Sequence, residues 1–169
     1  MRSLVVSLFF GAIVFASVAC NAFAIPSRIT ILPENFTGVV IVVFGESASV
    51  APNKEEGKIL YRIPKSGTLL VSSPPLYEFI GDEYFYESPD GQRKKLRYIY
   101  PGGGAWKDKE VTFDNVGPDS EEIFCMADEL GTIQIKGKTV HYRSFLVGRA
   151  QDVDSLANQV SEKLRKISL

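Results

Sequence analysis

Two side chains could in principle form a nucleophile and its base. A histidine can take the proton of a cysteine thiol, and Cys125 and His141 are the residues suited to that chemistry. His141 is the only histidine of the 169-residue chain, and no other metal-binding residue types lie close to it. The spacing of the two residues matches no catalytic motif. We therefore predict no catalytic residue, with Cys125 in the core and His141 on a strand face.

Acidic side chains concentrate between residues 110 and 131. Carboxylate oxygens are the ligands that Ca²⁺ prefers. The candidate ligands are Asp114, Asp119, Glu121 and Glu122, with Asn115 as an additional oxygen donor. The segment departs from the EF-hand pattern, because Pro118 interrupts it and the alternating acids are missing. The alternative is a solvated acidic loop, and we predict neither a bound metal nor a cofactor.

A basic run and a glycine run are better explained by structure than by ligand binding. Residues 93–97 read RKKLR and precede two tyrosines, a mixture that nucleic-acid binders use. Glutamates in residues 83–87 can pair with these charges across a hairpin. The glycines at 102–104 lack the Gly-Lys-Ser/Thr of a phosphate-binding loop. With a net charge of −1, the chain has no long-range attraction for nucleic acid, and we predict no nucleic-acid partner.

Aromatic residues cluster in the middle of the chain. They are Tyr77, Phe79, Tyr84, Phe85, Tyr86, Tyr98, Tyr100 and Trp106. Most are expected in the core and in cross-strand pairs. An exposed subset could stack on sugar rings or contact a protein, so we expect an unknown protein or glycan partner on this surface.

The stretch from Gly38 to Gly45 predicts the strand that organises these residues. Val39–Phe44 is an uninterrupted apolar run, mostly β-branched, which favours a strand. A strand with one face in water should alternate polar and apolar residues. This one does not alternate, so we expect both of its faces to be covered.

Three hairpins and a helix are predicted around this strand. The hairpins join 58–63 to 68–71, 83–87 to 93–97, and 132–135 to 139–147. In the second hairpin we expect Glu83 opposite Arg97 and Glu87 opposite Arg93, which pairs opposite charges. From residue 150 the apolar residues follow a helical period, which predicts a helix at about 150–167 that covers one face of the central strand.

The N-terminus predicts export. Arg2 precedes an uncharged apolar stretch that ends in Ala22-Phe23-Ala24, a small-residue cleavage site, so residues 1–24 read as a signal peptide. Cleavage would leave residues 25–169 as one domain with a single cysteine and no intramolecular disulfide. Ser17-Val18-Ala19-Cys20 alternatively resembles a lipobox, in which Cys20 would be acylated. Ser17 departs from the Leu usual three residues before that cysteine.

Three segments carry a family resemblance: LPENFTG at 32–38, YRIPKSGTL at 61–69 and DEYFY at 82–86. They resemble a family of small exported bacterial proteins of unknown function. Its members open with Leu-Pro-Glu-Gly-Tyr-x-Gly and continue with Ile-Pro-x-Ser-Gly. The likeness covers residues 29–100 and the segment 145–148, with Asn35-Phe36 in place of Gly-Tyr, and it implies no activity. A looser resemblance to transthyretin-like and carboxypeptidase-regulatory β-sandwiches concerns architecture alone.

Together these patterns predict a mainly β domain, an antiparallel β-sandwich with one C-terminal helix. The function we expect is that of an exported, non-catalytic binding or interaction module, periplasmic or extracellular. Two alternatives remain: an envelope protein anchored by a lipid at Cys20, and an enzyme with an unrecognised site. Contact with a membrane is expected only through such a lipid anchor.

Overall fold

The fold is mainly β, with one helix at the C-terminal end. The computed structural model describes residues 27–45, 49, 51–77, 81–102, 109–117 and 119–168. The strands are β1 (Arg28–Pro33), β2 (Gly38–Phe44), β3 (Asn53–Glu55), β4 (Lys58–Arg62), β5 (Thr68–Val71), β6 (Asp82–Glu87), β7 (Arg93–Tyr98), β8 (Phe124–Ile135) and β9 (Lys138–Gly148). A short 3₁₀ turn, Ala150–Asp152, leads into helix α1 (Val153–Ser168). Among the described residues, no helix is long and apolar enough to span a membrane. The predicted signal peptide and Cys20 lie outside the described residues.

The strands form one mixed sheet in the order β3-β4-β1-β6-β7-β8-β9-β2-β5. The expectation of an antiparallel sheet is wrong for half of the pairings within this sheet. Strand β1 is parallel to both β4 and β6, β2 is parallel to β5, and β7 is parallel to β8. The expectation rested on short turns between consecutive segments, which favour antiparallel neighbours. Parallel neighbours need longer connections: other strands separate the members of the first three pairs along the chain, and residues 99–123 separate β7 from β8.

Strand β2 lies in the core, as its composition predicts. Each residue from Val39 to Phe44 is at most 4% exposed. One face of β2 packs into an apolar cluster through Val40, Val42 and Phe44, and strands from both halves of the sheet, on either side of β7, contribute to that cluster. The other face, with Val39, Ile41 and Val43, packs against α1. Burial of each such side chain contributes about 1.5–3 kcal/mol. The prediction that both faces of this strand are covered is confirmed.

Helix α1 packs through one apolar stripe against β2, β8 and β9. The stripe consists of Val153, Leu156, Val160, Leu164 and Ile167. Asp154 lies in its first turn and Lys166 in its last, where each charge suits the helix dipole. The predicted C-terminal helix is confirmed, although its first three residues form the 3₁₀ turn.

Lys163 fastens α1 to the sheet. Its Nζ donates hydrogen bonds to the backbone carbonyls of Val39, on β2, and of Ser66, at 2.7 Å, in the loop between β4 and β5. Partial burial lowers the pKa of Lys163. Gly67 lies directly beneath, with φ +71°, and a Cβ there would stand 2.7 Å from the Val39 carbonyl oxygen. The helix, β2 and this loop therefore form one closely packed unit.

Two of the three predicted hairpins are present. In β6–β7, Tyr84 lies opposite Leu96 and Glu87 opposite Arg93, which is the predicted register. Glu87 and Arg93 form the expected ion pair, with Oε1 and Nε 3.2 Å apart. Strands β8 and β9 are joined by a two-residue turn in which Lys136 has φ +49° and Gly137 φ +75°, the geometry that suits a tight hairpin.

The third predicted hairpin, between β4 and β5, is wrong. Strand β4 pairs with β3 and β1, whereas β5 pairs with β2 at the far end of the sheet. The Ile63 amide donates to the Ile31 carbonyl, and four residues later the Gly67 carbonyl accepts from the Ile41 amide. The Pro64–Gly67 turn thus passes the chain from one half of the sheet to the other. A turn signal predicts a change of direction, but not which strand the next segment joins.

Candidate functional site

An open groove of about 690 Å³ lies along β7 near its N-terminal end. Strand β7 contributes Arg93–Arg97, the β1–β2 turn contributes Glu34, Asn35 and Thr37, and residues 121–123 before β8 complete the lining. Tyr86 and Leu96 also line it, and both belong to the apolar core. The groove therefore combines a polar rim with an apolar base.

The backbone of β7 is open along this groove. Strand β8 pairs with β7 only at Arg97 and Tyr98, because β8 begins at Phe124. Residues Arg93–Leu96 extend past that point, and in the described part of the chain they pair with β6 alone. The groove thus contains an exposed stretch of sheet edge, the kind of surface to which another strand can be added.

The loop between β6 and β7 determines which backbone groups face the groove. The Gly91 amide donates to the Ser88 carbonyl at 2.9 Å, and the Ser88 amide donates to the Gln92 carbonyl at 3.0 Å. Hydrogen-bonded pairs alternate along an antiparallel ladder, so Lys94 and Leu96 direct their backbone groups towards β6. Arg93 and Lys95 consequently present theirs to the groove. The Ile99 amide, two residues beyond Arg97 in the same row, donates to the Cys125 carbonyl of β8.

The charges of the groove divide into paired and unpaired groups. Arg97 Nε donates to Glu122 Oε1 at 2.8 Å, and this hydrogen bond lowers the pKa of Glu122. Arg93 pairs with Glu55 and Glu87. Lys94 forms no hydrogen bond or ion pair with any residue in the described ranges. Its charge helps to lower the pKa of Glu122, and its exposed side chain is accessible to a ligand in this groove.

A buried cluster of charges supports the sheet beside the core. Arg28 holds Asp82 through two hydrogen bonds, Nε–Oδ1 at 2.7 Å and Nη2–Oδ2 at 2.8 Å. Arg143, only 1% exposed in its side chain, donates to the same Asp82 and to Asp128, with Nε–Oδ1 at 2.7 Å. Its Nη2 also donates to the Tyr84 hydroxyl at 2.8 Å. Two arginines and two aspartates from β1, β6, β8 and β9 therefore balance one another.

A bulge in β8 places Asp128 within reach of this cluster. The register of the β8–β9 ladder shifts between Met126 and Glu129, and Ala127 there has φ +51°. Bulges re-aim the side chains beside them. The Asp128 carboxylate accepts hydrogen bonds from Arg143, and the Asp128 backbone amide donates to the Tyr98 hydroxyl at 3.2 Å. Burial lowers the pKa of Arg143, but the neighbouring Tyr84, Asp128 and Asp82 more than offset it, so that the net pKa is raised.

We expect stability to fall in alkali. Burial raises the pKa of Tyr86 and Tyr98 to about 12, and it raises the pKa of Tyr84 well above its usual value. Below the unfolded-state pKa of about 10 the tyrosines are protonated in both states. Between that value and about 12 only the unfolded state ionises, so the free energy of unfolding decreases as pH rises. Urea unfolding at several pH values across this range measures the free energy of unfolding. Tyr98→Phe should make its decrease with pH less steep. A free energy of unfolding that stays constant would contradict the expectation.

Comparison with known proteins places this chain in a family. The model of a protein family described as a family of unknown function, DUF6843, matches residues 26–155. The chain belongs to the DUF6843 family. This confirms the predicted membership of an uncharacterised family, while the motif pattern itself stays a prediction. No curated protein matches the chain.

A solved structure resembles this member of the DUF6843 family. It is the 2.75 Å crystal structure of a putative lipoprotein from Bacillus anthracis, with a TM-score of 0.51 and 20% sequence identity. The similarity covers 73% of this chain and 70% of that one. At this identity the likeness concerns the fold alone.

In this DUF6843 protein, Cys125 and His141 are far apart. Cys125 is buried and lies opposite Val147 on β9, six residues from His141. At about 3.3 Å per strand residue, that separation is about 20 Å. Burial raises the pKa of the Cys125 thiol well above its usual value, which disfavours the thiolate. His141 instead contacts Tyr77, whose hydroxyl lies 3.1 Å from Nδ1.

The acidic candidates are not gathered at one point. Glu121 and Glu122 both line the groove. Each is already in an ion pair, Glu121 with Arg149 and Glu122 with Arg97. Asp114 packs against Gly102, and Asp119 is exposed. Within the described ranges, no three His, Cys, Asp or Glu residues form a group that could hold a metal ion. The expectation that these residues bind no metal, with calcium as the alternative, stays a prediction.

The aromatic cluster is largely internal where the structure describes it. Tyr84 stacks on Tyr98 with ring centroids 5.9 Å apart, and Tyr98 meets Tyr100 edge-on at 4.8 Å. Tyr77 is 65% exposed. Phe79 and Trp106 lie outside the described residues. The aromatic residue that reaches the groove is Tyr86, whose hydroxyl donates to the Phe36 carbonyl in the β1–β2 turn.

The groove has no signature in the sequence. Pairing with the glutamates of the hairpin explains Arg93 and Lys95, which contact Glu87 and Glu83, but not Arg97, which pairs with Glu122. The feature that turns this part of β7 into a groove is that β8 pairs with β7 only from Arg97 onwards. The sequence predicts strands here, but it does not predict the residue at which β8 begins to pair with β7.

Proposed function

We propose that this protein is a non-catalytic binding module of the bacterial cell envelope, and that the groove along β7 is its binding site. The observation that carries the proposal is the open edge of β7 at Arg93–Leu96, within a groove that contains Lys94, which has no ion-pair partner among the described residues. The separation of Cys125 from His141 also favours binding over nucleophilic catalysis. The shared apolar cluster between the two halves of the sheet supports a sandwich-like arrangement as the rigid frame of the groove.

Export and envelope location are supported by the predicted signal peptide and by the fold shared with a protein described as a putative lipoprotein. The partner we propose is a protein or glycan of the envelope. Lys94→Glu inverts an unpaired charge of the groove, and Thr37→Trp places a bulky ring there from the β1–β2 turn. Both side chains are exposed, so the fold should tolerate each change.

The experiment is co-sedimentation of the purified protein with washed envelope from its host. We expect both groove variants to pellet about tenfold less efficiently than the unchanged protein, Lys94→Glu because one charge-assisted contact is lost and Thr37→Trp because its ring fills part of the groove. Lys65→Glu, a charge inversion at an exposed residue that does not line the groove, should pellet normally. So should His141→Ala, because His141 also does not line the groove. Equal pelleting of all variants would place binding elsewhere.

A second candidate is a lipid-anchored form of the same module, acylated at Cys20. It is favoured by the description of the similar structure as a putative lipoprotein. Intact mass spectrometry of the protein from separated soluble and membrane fractions decides between the two forms. A soluble chain that begins at Ile25 supports signal-peptide cleavage, and a membrane-bound chain that begins at acylated Cys20 supports the anchor.

A further inference from the structure

We propose that the groove binds an extended, acidic peptide segment of a partner protein, which adds to the sheet as a new strand alongside β7. This inference rests on the proposed function and names the partner class for the same groove. It depends on the direction of the backbone groups of β7, on the side chains beside them, and on the charge of the strand.

The backbone of β7 offers hydrogen-bonding groups in the correct places. Arg97 and Tyr98 pair with β8, and the Ile99 amide continues that ladder to the Cys125 carbonyl. Arg93 and Lys95 lie in the same row and face the groove, where β8 has not yet begun. A peptide lying beside Arg93 and Lys95 would extend the ladder beyond the residue at which β8 begins to pair with β7. Main-chain hydrogen bonds supply the affinity in this mode of recognition.

The side chains define what the added strand should carry. Strand side chains alternate between the two faces of a sheet, so those of the peptide would form two rows. One row would lie beside Arg93 and Lys95. Arg93 is already paired with Glu55 and Glu87, so an acidic side chain is favoured mainly beside the exposed Lys95. The other would lie beside Lys94 and the buried Leu96, where an apolar residue can cover the base of the groove. The preferred sequence therefore alternates acidic and apolar residues.

Charge also distinguishes the occupant from a second copy of this chain. Two copies joined edge to edge through β7 would bring together strands that each carry Arg93, Lys94, Lys95 and Arg97. Lysines on an exposed edge are a recognised obstacle to self-pairing, because like charges on neighbouring strands repel. The Lys95 side chain is 63% exposed, and the distance between its Nζ and Glu83 Oε1 is 3.4 Å, which is long for an ion pair. Because this ion pair is exposed to water and weak, the Lys95 ammonium group can exchange Glu83 for an acidic residue of a partner.

The test uses a short peptide that alternates glutamate and valine, titrated into the purified protein and followed by fluorescence anisotropy. Three matched peptides accompany it: one with lysine in place of glutamate, one with the same residues in scrambled order, and one with N-methyl groups on alternate residues. The N-methylated peptide keeps the charge and loses the main-chain donors. We expect the acidic peptide to bind, and N-methylation to weaken it by at least about tenfold.

Variants of Lys95 test the same hydrogen bonds from the side of the protein. Lys95→Pro removes the amide that faces the groove and leaves the ladder to β6 intact, since proline is tolerated on an edge. Lys95→Ala removes the charge but keeps the amide. We expect Lys95→Pro to weaken the peptide by about tenfold relative to Lys95→Ala. Thermal melting of both variants confirms that they are folded.

Amide hydrogen exchange supplies a readout that does not depend on variants. The amides of Arg93 and Lys95 should exchange rapidly in the free protein and slow on addition of the acidic peptide. Slow exchange without peptide would mean that another segment of this chain covers the edge, and would overturn the proposal. Concentration-dependent dimerisation that Lys95→Pro abolishes would overturn it in favour of a second copy.

The outcomes separate this inference from the function on which it rests. Equal binding of the N-methylated and unmodified acidic peptides would indicate an anion site and refute strand addition. If envelope binding depends on Lys94 and Thr37 while no peptide binds, the binding module stands and the peptide is wrong. If neither the envelope nor the peptides respond to groove variants, both proposals fall.

Discussion

Arg143→Ala should lower the free energy of unfolding by about 3–5 kcal/mol, the usual cost of breaking a buried ion pair from one side. Arg143 joins Asp82 and Asp128 from different strands and donates to the Tyr84 hydroxyl. Its removal leaves the Asp128 carboxylate without its partner and Asp82 with Arg28 alone. Urea unfolding followed by circular dichroism measures the loss.

Arg97→Ala is the matched control for this prediction. Arg97 also holds a carboxylate through two hydrogen bonds, to Glu122, but its side chain is 47% exposed. Water replaces the lost contact there, so the expected change is about 0–1 kcal/mol. If the two substitutions cost the same, burial is not what makes the Arg143 cluster important, and the proposed role of the cluster is wrong.

Gly67→Ala should destabilise the protein by about 2–5 kcal/mol. A side chain at φ +71° costs about 1–2 kcal/mol, and forcing a methyl group into a packed site adds about 1–3 kcal/mol. The new Cβ would stand 2.7 Å from the Val39 carbonyl oxygen, a backbone atom that cannot rotate away, and 2.5 Å from Lys163 Nζ. The substitution therefore acts on β2 and α1 together, and its effect on the midpoint of urea unfolding is the measurement.

Gly57→Ala separates the two contributions. Gly57 has φ +79°, but nothing lies within 4 Å of the position of its Cβ. Only the conformational cost of about 1–2 kcal/mol should appear. A loss at Gly67 no larger than that at Gly57 would show that the neighbouring groups move aside, and that Lys163 does not hold α1 as firmly as the geometry indicates.

Local patterns predicted the elements whose environment is local. The apolar run Val39–Phe44 indicated burial on both faces because its composition lacks alternation. The stripe from Val153 to Ile167 indicated one buried helix face. The register of β6–β7 followed from opposite charges, since Glu87 meets Arg93 across the hairpin. The charge expected at Glu83–Arg97 is divided instead between other partners: Glu83 pairs with Lys58 and Lys95, and Arg97 with Glu122.

Features that depend on long-range pairing could not be predicted in this way. Strand β5 resembles the second arm of a hairpin, but its partner is β2, which precedes it by more than one element. The Arg143 cluster joins residues that are distant in sequence, and each of them alone is an ordinary polar residue of a strand. The open edge of β7 arises from the position at which β8 begins to pair. None of these three features has a short-range signature.

The chain order of β2, β9 and α1 has a consequence for biosynthesis. A ribosome makes β2 before most of the sheet, yet the neighbouring strand β9 and the helix that covers β2 follow all the other strands: Val39 pairs with Leu146, and Lys163 binds the Val39 carbonyl. Until β9 and α1 are made, the most apolar segment of the described chain can pair only with β5. The nascent protein is therefore expected to remain an incompletely folded client of chaperones until α1 has been made, and a chain that stops before residue 150 should be degraded rather than accumulate.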